Sequence, residues 1–156
     1  MADVREHIDN DHVISVLEKL IENCRDGQAG YRDAATHVKN PELRTLFNQL
    51  STVRAEFAGE LENEVIRLGH HDPDRKPTTA GALHRKWIDL KSAMGAGDHS
   101  ILSSVESGED ALMKLYQDAL NDKLPLDIKD ILRRQSEQVT SDHDRIRTLR
   151  DQSKAA

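Results

Sequence analysis

The sequence predicts an all-α protein, a single bundle of four long helices with a short extra helix in one long connection. Apolar residues recur at spacings of three and four along four long segments, which is the helical period. Good helix formers dominate, while aromatic residues make up only 3% and runs of β-branched residues are absent. A chain of 156 residues is long enough for one domain with one core.

The first helix is predicted to start at a cap formed by Asn10 or Asp11 and to run to about Val38. Its apolar stripe is interrupted near the middle by one polar residue, Gln28. A polar residue in such a stripe is expected to face other polar groups, because an unpaired polar side chain is costly to bury.

The second helix is predicted over residues 41–68, with Asn40 as its cap and Pro41 at its first position. Arg54 interrupts its apolar stripe. Because the connection to the first helix is very short, the two helices are expected to be antiparallel neighbours. Counting back equally from the turn places Gln28 level with Arg54.

The long connection begins with a polar loop at residues 69–78, which holds two prolines and follows a glycine stop. A shorter helix is predicted over residues 79–94. One side of this crossover helix is apolar and consists of Leu83, Trp87, Leu90 and Met94.

The third helix is predicted from a cap at Asp98 to about Asn121. Glu109 lies within its apolar stripe, level with Val105 and Leu112, where a core side chain is expected. A carboxylate at that position must be paired, bound to a metal or protonated, because an isolated buried charge is too costly.

The last helix is predicted over residues 126–151, and its stripe is interrupted by Gln135, Asp142 and His143. The four helices form one domain over residues 11–151, with flexible termini at 1–10 and 152–156. Four long helices with one long connection are the ferritin-like arrangement, and a connection of about thirty residues exceeds what a simple up-down bundle uses.

Five segments carry a resemblance to a known family: GYRDAA at 30–35, PELRTLF at 41–47, GALHRKWIDLK at 81–91, ESGEDA at 106–111 and HDRIRTLRD at 143–151. Together they resemble a bacterial family of ferritin-like four-helix-bundle proteins catalogued as a domain of unknown function. The resemblance covers residues 11–151 and implies a bacterial, cytoplasmic bundle. It implies no established activity.

Di-iron members of the ferritin-like class place a Glu on each of two helices and Glu-x-x-His on each of the other two. In this chain no Glu is followed three residues later by His. Arg54 cannot ligate a metal and its charge would repel one. We therefore predict no cofactor and interpret the site as a buried polar layer in place of a lost metal site, with Arg54 paired to Glu109. This predicted layer comprises Gln28, Arg54, Glu109, Asp142 and His143.

The alternative is a metal site in a ferritin-like oxidase or storage protein, with iron as the expected metal. Its candidate ligands are Glu106, Glu109, Asp142 and His143. Metal content of the purified protein would separate the two interpretations.

The overall composition and charge of the chain argue against several classes of partner and function. The formal net charge is −6 and no run of basic residues stands out, so neither nucleic acid nor an anionic membrane is an expected partner. Cys24 is the single cysteine, which fits a reducing cytoplasm. We expect a non-enzymatic protein with a binding or structural role, associated with stress by loose analogy to the ferritin-like class.

The crossover helix is the predicted partner site. Trp87 is the single tryptophan, and tryptophan is a common interface anchor. Two outcomes stay open: the helix packs on its own bundle, or it docks on a second subunit or another protein, as in a homodimer or a helical adaptor. The predicted partner-binding residues are Leu83, Trp87, Leu90 and Met94.

Overall fold

The computed structural model describes residues 8–69, Trp87, Ala93 and 95–154, and every regular element in these ranges is helical. The predicted all-α class is confirmed for this part of the chain. The predicted helix at 79–94 lies outside the described residues, apart from Trp87 and Ala93. The four helices are α1 (Asn10–His37), α2 (Pro41–Arg67), α3 (Asp98–Leu120) and α4 (Leu126–Lys154).

The observed helix ends differ in places from those predicted from the apolar pattern, and capping side chains account for two of them. The cap of α1 is Asp9, whose carboxylate accepts a hydrogen bond from the backbone N of Asp11 at 3.0 Å, so the predicted cap at Asn10 or Asp11 is wrong. Asn40 caps α2 as predicted, accepting from the backbone N of Glu42 at 2.9 Å. The last helix continues through Lys154, three residues beyond its predicted end.

Asp98 has a different role from the predicted one. Gly97 occupies the cap position of α3 with a φ of 104°, a conformation that favours glycine. The carboxylate of Asp98 instead accepts hydrogen bonds from the backbone N of Lys39 at 2.8 Å and of Asn40 at 3.0 Å. These bonds fix the turn between α1 and α2 against the start of α3.

Contacts between helix ends define the topology. His12 near the start of α1 lies 2.8 Å from Asp122 just after α3, and Arg67 at the end of α2 donates to Asp127 near the start of α4 at 2.8 Å. Hence α1 and α4 run in one direction, while α2 and α3 run in the other. The connection at 68–97 therefore joins opposite ends of a four-helix bundle, which confirms the predicted bundle.

In this bundle α1 packs against α2 and α3, and α4 packs against the same two helices. Leu17, Phe47, Leu102 and Ile128, one from each helix, are fully buried in the common core. No helix in the described ranges has both the length and the apolar character needed to cross a bilayer. The polar groups at the centre of this core are buried, which strengthens the electrostatic interactions between them.

Candidate functional site

The centre of the bundle holds a buried ion-pair layer built around Arg54, in the middle of α2. Its Nη2 donates hydrogen bonds to both oxygens of Glu109 on α3, at 2.9 and 2.7 Å. The same nitrogen lies 3.1 Å from Oδ2 of Asp142 on α4. The side chains of Arg54 and Glu109 are 0% and 1% exposed. Two carboxylates thus share one guanidinium away from water.

The remaining helix, α1, contributes Tyr31 to this layer. Its hydroxyl donates to Oε1 of Glu109 at 2.6 Å, and the ring is fully buried. Burial, followed by the charge of Glu109, raises the pKa of Tyr31 well above its usual value. Tyr31 therefore stays a hydrogen-bond donor at physiological pH. We call Tyr31, Arg54, Glu109 and Asp142 the central layer.

Arg54 stays protonated in this environment. Burial by itself lowers the pKa of Arg54, but Glu109, Tyr31 and Asp142 together more than offset that effect, and the net shift is upward. The guanidinium carbon lies 5.8 Å from the centre of the Tyr31 ring and 5.5 Å from that of Phe57. Its Nε and Nη1 make no hydrogen bond to any described residue, and both rings lie within cation–π distance of the guanidinium.

A second set of buried polar groups lies beside the central layer. Tyr116 donates to Oε1 of Gln135 at 2.7 Å, and its oxygen lies 3.4 Å from Sγ of Cys24. The amide of Gln135 donates to Glu60 at 2.7 Å. Burial raises the pKa of Cys24 to about 11, which makes the thiol a poor nucleophile and metal ligand.

The indole of Trp87 packs in a notch between α1 and α3 that two glycines create. A Cβ at Gly30 would lie 2.0 Å from Cε3 of the indole, and a Cβ at Gly108 would lie 2.8 Å from Cε2. Trp87 is 8% exposed, and its ring meets that of Tyr31 edge-on at 5.3 Å. Trp87 therefore covers the α1–α3 side of the central layer.

This position corrects the predicted partner-binding role of Trp87. The side chain packs on its own bundle, which is the first of the two outcomes open from the sequence, and it is not available as an exposed interface anchor. The other predicted partner-binding residues, Leu83, Leu90 and Met94, lie outside the described residues.

Gln28 does not join the buried layer, so its predicted placement was wrong. Its side chain is half-buried and its Oε1 accepts from Nη1 of exposed Arg25 at 3.0 Å. The residue next to Gln28, Gly27, faces the stem of Arg54 instead, since a Cβ there would lie 3.6 Å from Cγ of Arg54. Counting from the turn identified the right level, but one residue round a helix changes the direction of a side chain by about 100°.

The four residues of the alternative metal site are divided between two places, so they do not form one site. Glu109 and Asp142 face Arg54, whereas His143 turns toward the outer edge between α3 and α4. There its Nε2 lies 2.6 Å from Oδ1 of Asp110 and 3.7 Å from Oε1 of Glu106. His143 therefore lies apart from the central layer in which the sequence placed it.

We call Glu106, Asp110 and His143 the edge cluster. In the described ranges they form the single group of three metal-ligating side chains whose ligand atoms all lie within 4.8 Å of one another. Asp110 was missed from the sequence because it lies outside the apolar stripe. The spacing of Glu106 and Asp110, four residues apart, was the signal that could have found it, since such residues share a helix face.

Basic residues of α4 border the edge cluster. Arg150 contacts Oε2 of Glu106, and Nε of Arg147 lies 3.4 Å from Oε1 of the same carboxylate. On the other side of the imidazole, Nδ1 of His143 lies 3.1 Å from Oδ1 of Asp144. The two guanidinium groups thus contact different oxygens of Glu106, Arg150 at Oε2 and Arg147 at Oε1.

Comparison with known proteins identifies a family without an assigned activity. No curated protein matches the sequence. The family model described as a domain of unknown function (DUF2383) matches residues 12–122, a range that contains Arg54, Glu109 and the α3 part of the edge cluster but not α4. Because the match spans well over half of the 156 residues, the chain belongs to this family of domains of unknown function.

Proposed function

We propose that this protein is a non-enzymatic, ferritin-like four-helix bundle in which the guanidinium of Arg54 takes the place of a metal centre. One observation carries the proposal: Arg54 is fully buried, bonds both oxygens of Glu109 and lies 3.1 Å from Asp142. The single end-to-end connection, with α2 and α3 running in the same direction, supports the ferritin-like assignment.

The physical reason is charge compensation. Two carboxylates buried in a dry core need a positive charge nearby, which a metal ion supplies in a di-iron bundle. Here the protein supplies that charge itself, and a guanidinium has no lone pair with which to bind a metal. The oxidase or storage alternative would require Glu109 and Asp142 to leave Arg54, which would leave a cation unpaired in the core.

The role that remains is binding or structural, in a bacterial cytoplasm and associated with stress by analogy with ferritin-like proteins. The homodimer stays a prediction. No feature of the described residues favours the adaptor function over a purely structural one, because Trp87 packs within its own chain.

Iron(II) oxidation under air tests the proposal. Wild-type protein should oxidise iron(II) no faster than buffer, and Glu109→Gln should behave identically. The matched control is Glu62→Gln, an exposed carboxylate on the same protein that pairs with Arg25 at 2.9 Å. Fast oxidation by wild type and Glu62→Gln that Glu109→Gln abolishes would overturn the proposal in favour of a di-iron oxidase.

A further inference from the structure

The edge cluster contains a buried imidazole nitrogen that makes no hydrogen bond to any described residue. His143 is 2% exposed, and its Nε2 lacks a hydrogen bond of acceptable geometry although two carboxylates lie beside it. Nδ1 is within 3.1 Å of Asp144, so this nitrogen can donate its proton there. In that tautomer Nε2 carries a lone pair and lies 2.6 Å from a carboxylate oxygen of Asp110. This contact is repulsive unless a cation binds beside the two groups.

The arrangement around His143 matches that of metal-binding histidines. Such a histidine usually donates its other ring N–H to a carboxylate, which orients the ring and raises its basicity. Asp144 has this position relative to His143. Glu106 and Asp110 are four residues apart on α3, so their carboxylates project from one face toward the imidazole on α4.

The charged groups around the edge cluster have an excess of negative charge equal to the positive charge of one divalent cation. The contacts described join four carboxylates, those of Glu106, Asp110, Asp144 and Asp151, to two guanidinium groups, those of Arg147 and Arg150. His143 is neutral in the tautomer above. The surplus is therefore two negative charges. Asp110, whose side chain is 61% exposed, leaves the cluster open to solvent.

We propose that Oε1 of Glu106, Oδ1 of Asp110 and Nε2 of His143 bind one divalent transition-metal ion at the edge of the bundle. One imidazole with two carboxylates suits zinc and its first-row neighbours, and zinc binds such ligands more tightly than manganese or iron. The three ligand atoms, all within 4.8 Å of one another, need only small side-chain rotations to surround an ion at about 2.1 Å. This site is separate from the central layer and does not depend on the proposed function.

Titration calorimetry with Zn²⁺, and visible absorption with Co²⁺ as the spectroscopic probe, test the site. The protein should be free of any affinity tag and carry His70→Asn and His71→Asn, which remove the adjacent histidines of the polar loop. We expect one ion per chain. His143→Gln should abolish binding, and Asp110→Asn should weaken it about tenfold or more, as should Asp144→Asn through the orientation of the imidazole.

Two further variants make the test specific. Arg147→Gln should tighten binding, because it removes a positive charge 3.4 Å from a ligand oxygen. His12→Gln, which alters an exposed histidine paired with Asp122, should leave binding unchanged, and so should Glu109→Gln in the central layer.

The exposed position of Asp110 keeps the test informative even if His143→Gln fails to fold, since Asp110→Asn should leave the core intact. Absence of Zn²⁺ binding by the parent protein would overturn the proposal. So would binding that Asp110→Asn leaves unchanged. The iron-oxidation test depends on the Glu109 variant, whereas the zinc-binding test depends on the Asp110 and His143 variants. Either proposal can therefore be overturned without the other.

Discussion

The two carboxylates of the central layer and the main residues of the edge cluster come from the same two helices, α3 and α4, and from neighbouring positions on them. Glu106 and Glu109 are one helical turn apart on α3, and Asp142 and His143 are consecutive on α4. In the central layer the carboxylates meet Arg54, a cation that belongs to the chain. In the edge cluster they lie beside an imidazole nitrogen that makes no hydrogen bond within the described part of the chain.

Access to water accounts for this difference. The central layer is enclosed by all four helices and covered by Trp87, so its counter-charge must be present when the protein folds. The edge cluster is open at Asp110, so water or a dissolved ion can supply the balancing charge. Similar ligands therefore favour a permanent ion pair in one place and an exchangeable cation in the other.

The largest expected effect follows from breaking the central ion pair. Arg54→Met or Glu109→Gln alone should lower the free energy of unfolding by about 3–5 kcal/mol, because each change removes one partner of a buried pair and Arg54→Met leaves carboxylates uncompensated. Urea unfolding followed by circular dichroism measures the change. The double variant should lose less than the sum of the two single losses.

Asp142 provides an internal control for that cycle. Because it also lies 3.1 Å from Arg54, the double variant leaves its carboxylate without a counter-charge, and adding Asp142→Asn should restore part of the lost stability. Strictly additive losses for Arg54 and Glu109 would show that the two side chains do not share one interaction.

The next largest effect is a loss of stability at alkaline pH, which reports on the burial of the Cys24 thiol. Burial raises the pKa of Cys24 from 9.0 to about 11, so the folded protein keeps a proton that the unfolded chain loses. Stability should therefore be full below pH 9 and fall as the pH rises toward 11, by about 1.4 kcal/mol per unit and about 3 kcal/mol in all.

Cys24→Ala separates this loss from other alkaline effects. Burial also raises the pKa values of Tyr31 and Tyr116 well above 10, so both tyrosines add to the loss above that pH, and the comparison of the two proteins is made below it. Urea unfolding between pH 9 and 10 should show a slope that Cys24→Ala flattens. An equal slope in both proteins would mean that the thiol is hydrated in the folded state.

Most of the fold could be predicted from the sequence because an amphipathic period specifies a helix and a short connection specifies antiparallel neighbours. The cap of α2 at Asn40 could also be predicted, but the caps of α1 and α3 could not. Asp98 was expected to cap α3, yet it bonds the turn at Lys39 and Asn40, because a carboxylate accepts from whichever backbone N–H groups the tertiary structure brings to it.

The pairing of Arg54 with Glu109 could be predicted because both interrupt apolar stripes and their charges are opposite. The directions of the polar side chains at neighbouring positions could not be predicted. Gln28 and His143 each lie one position away from a residue that faces Arg54, and a stripe read from the sequence does not resolve a rotation of about 100°. Asp110 is exposed, so a search of apolar stripes could not find it.

A smaller effect should follow from filling the notch that holds Trp87 over the central layer. Gly30→Ala would place a Cβ 2.0 Å from the indole, and we expect a loss of about 1–3 kcal/mol. Gly59→Ala is the matched control, since no atom of the described residues lies within 4 Å of a Cβ there, and it should stabilise by up to about 1 kcal/mol. Thermal unfolding compares them; equal behaviour would mean that Trp87 does not occupy the notch.

The smallest effect is expected at the edge cluster in the absence of metal. Asp110→Asn, measured by urea unfolding in EDTA, should change the free energy of unfolding by no more than about 1 kcal/mol, because its carboxylate is largely exposed and its contact with His143 is screened by water. Added Zn²⁺ should then stabilise the wild type more than Asp110→Asn, since only a folded site binds the ion. If Asp110→Asn in EDTA lowered the free energy of unfolding as much as Glu109→Gln does, the edge cluster would be as important for metal-free stability as the central layer. The proposed difference between the two would then be wrong.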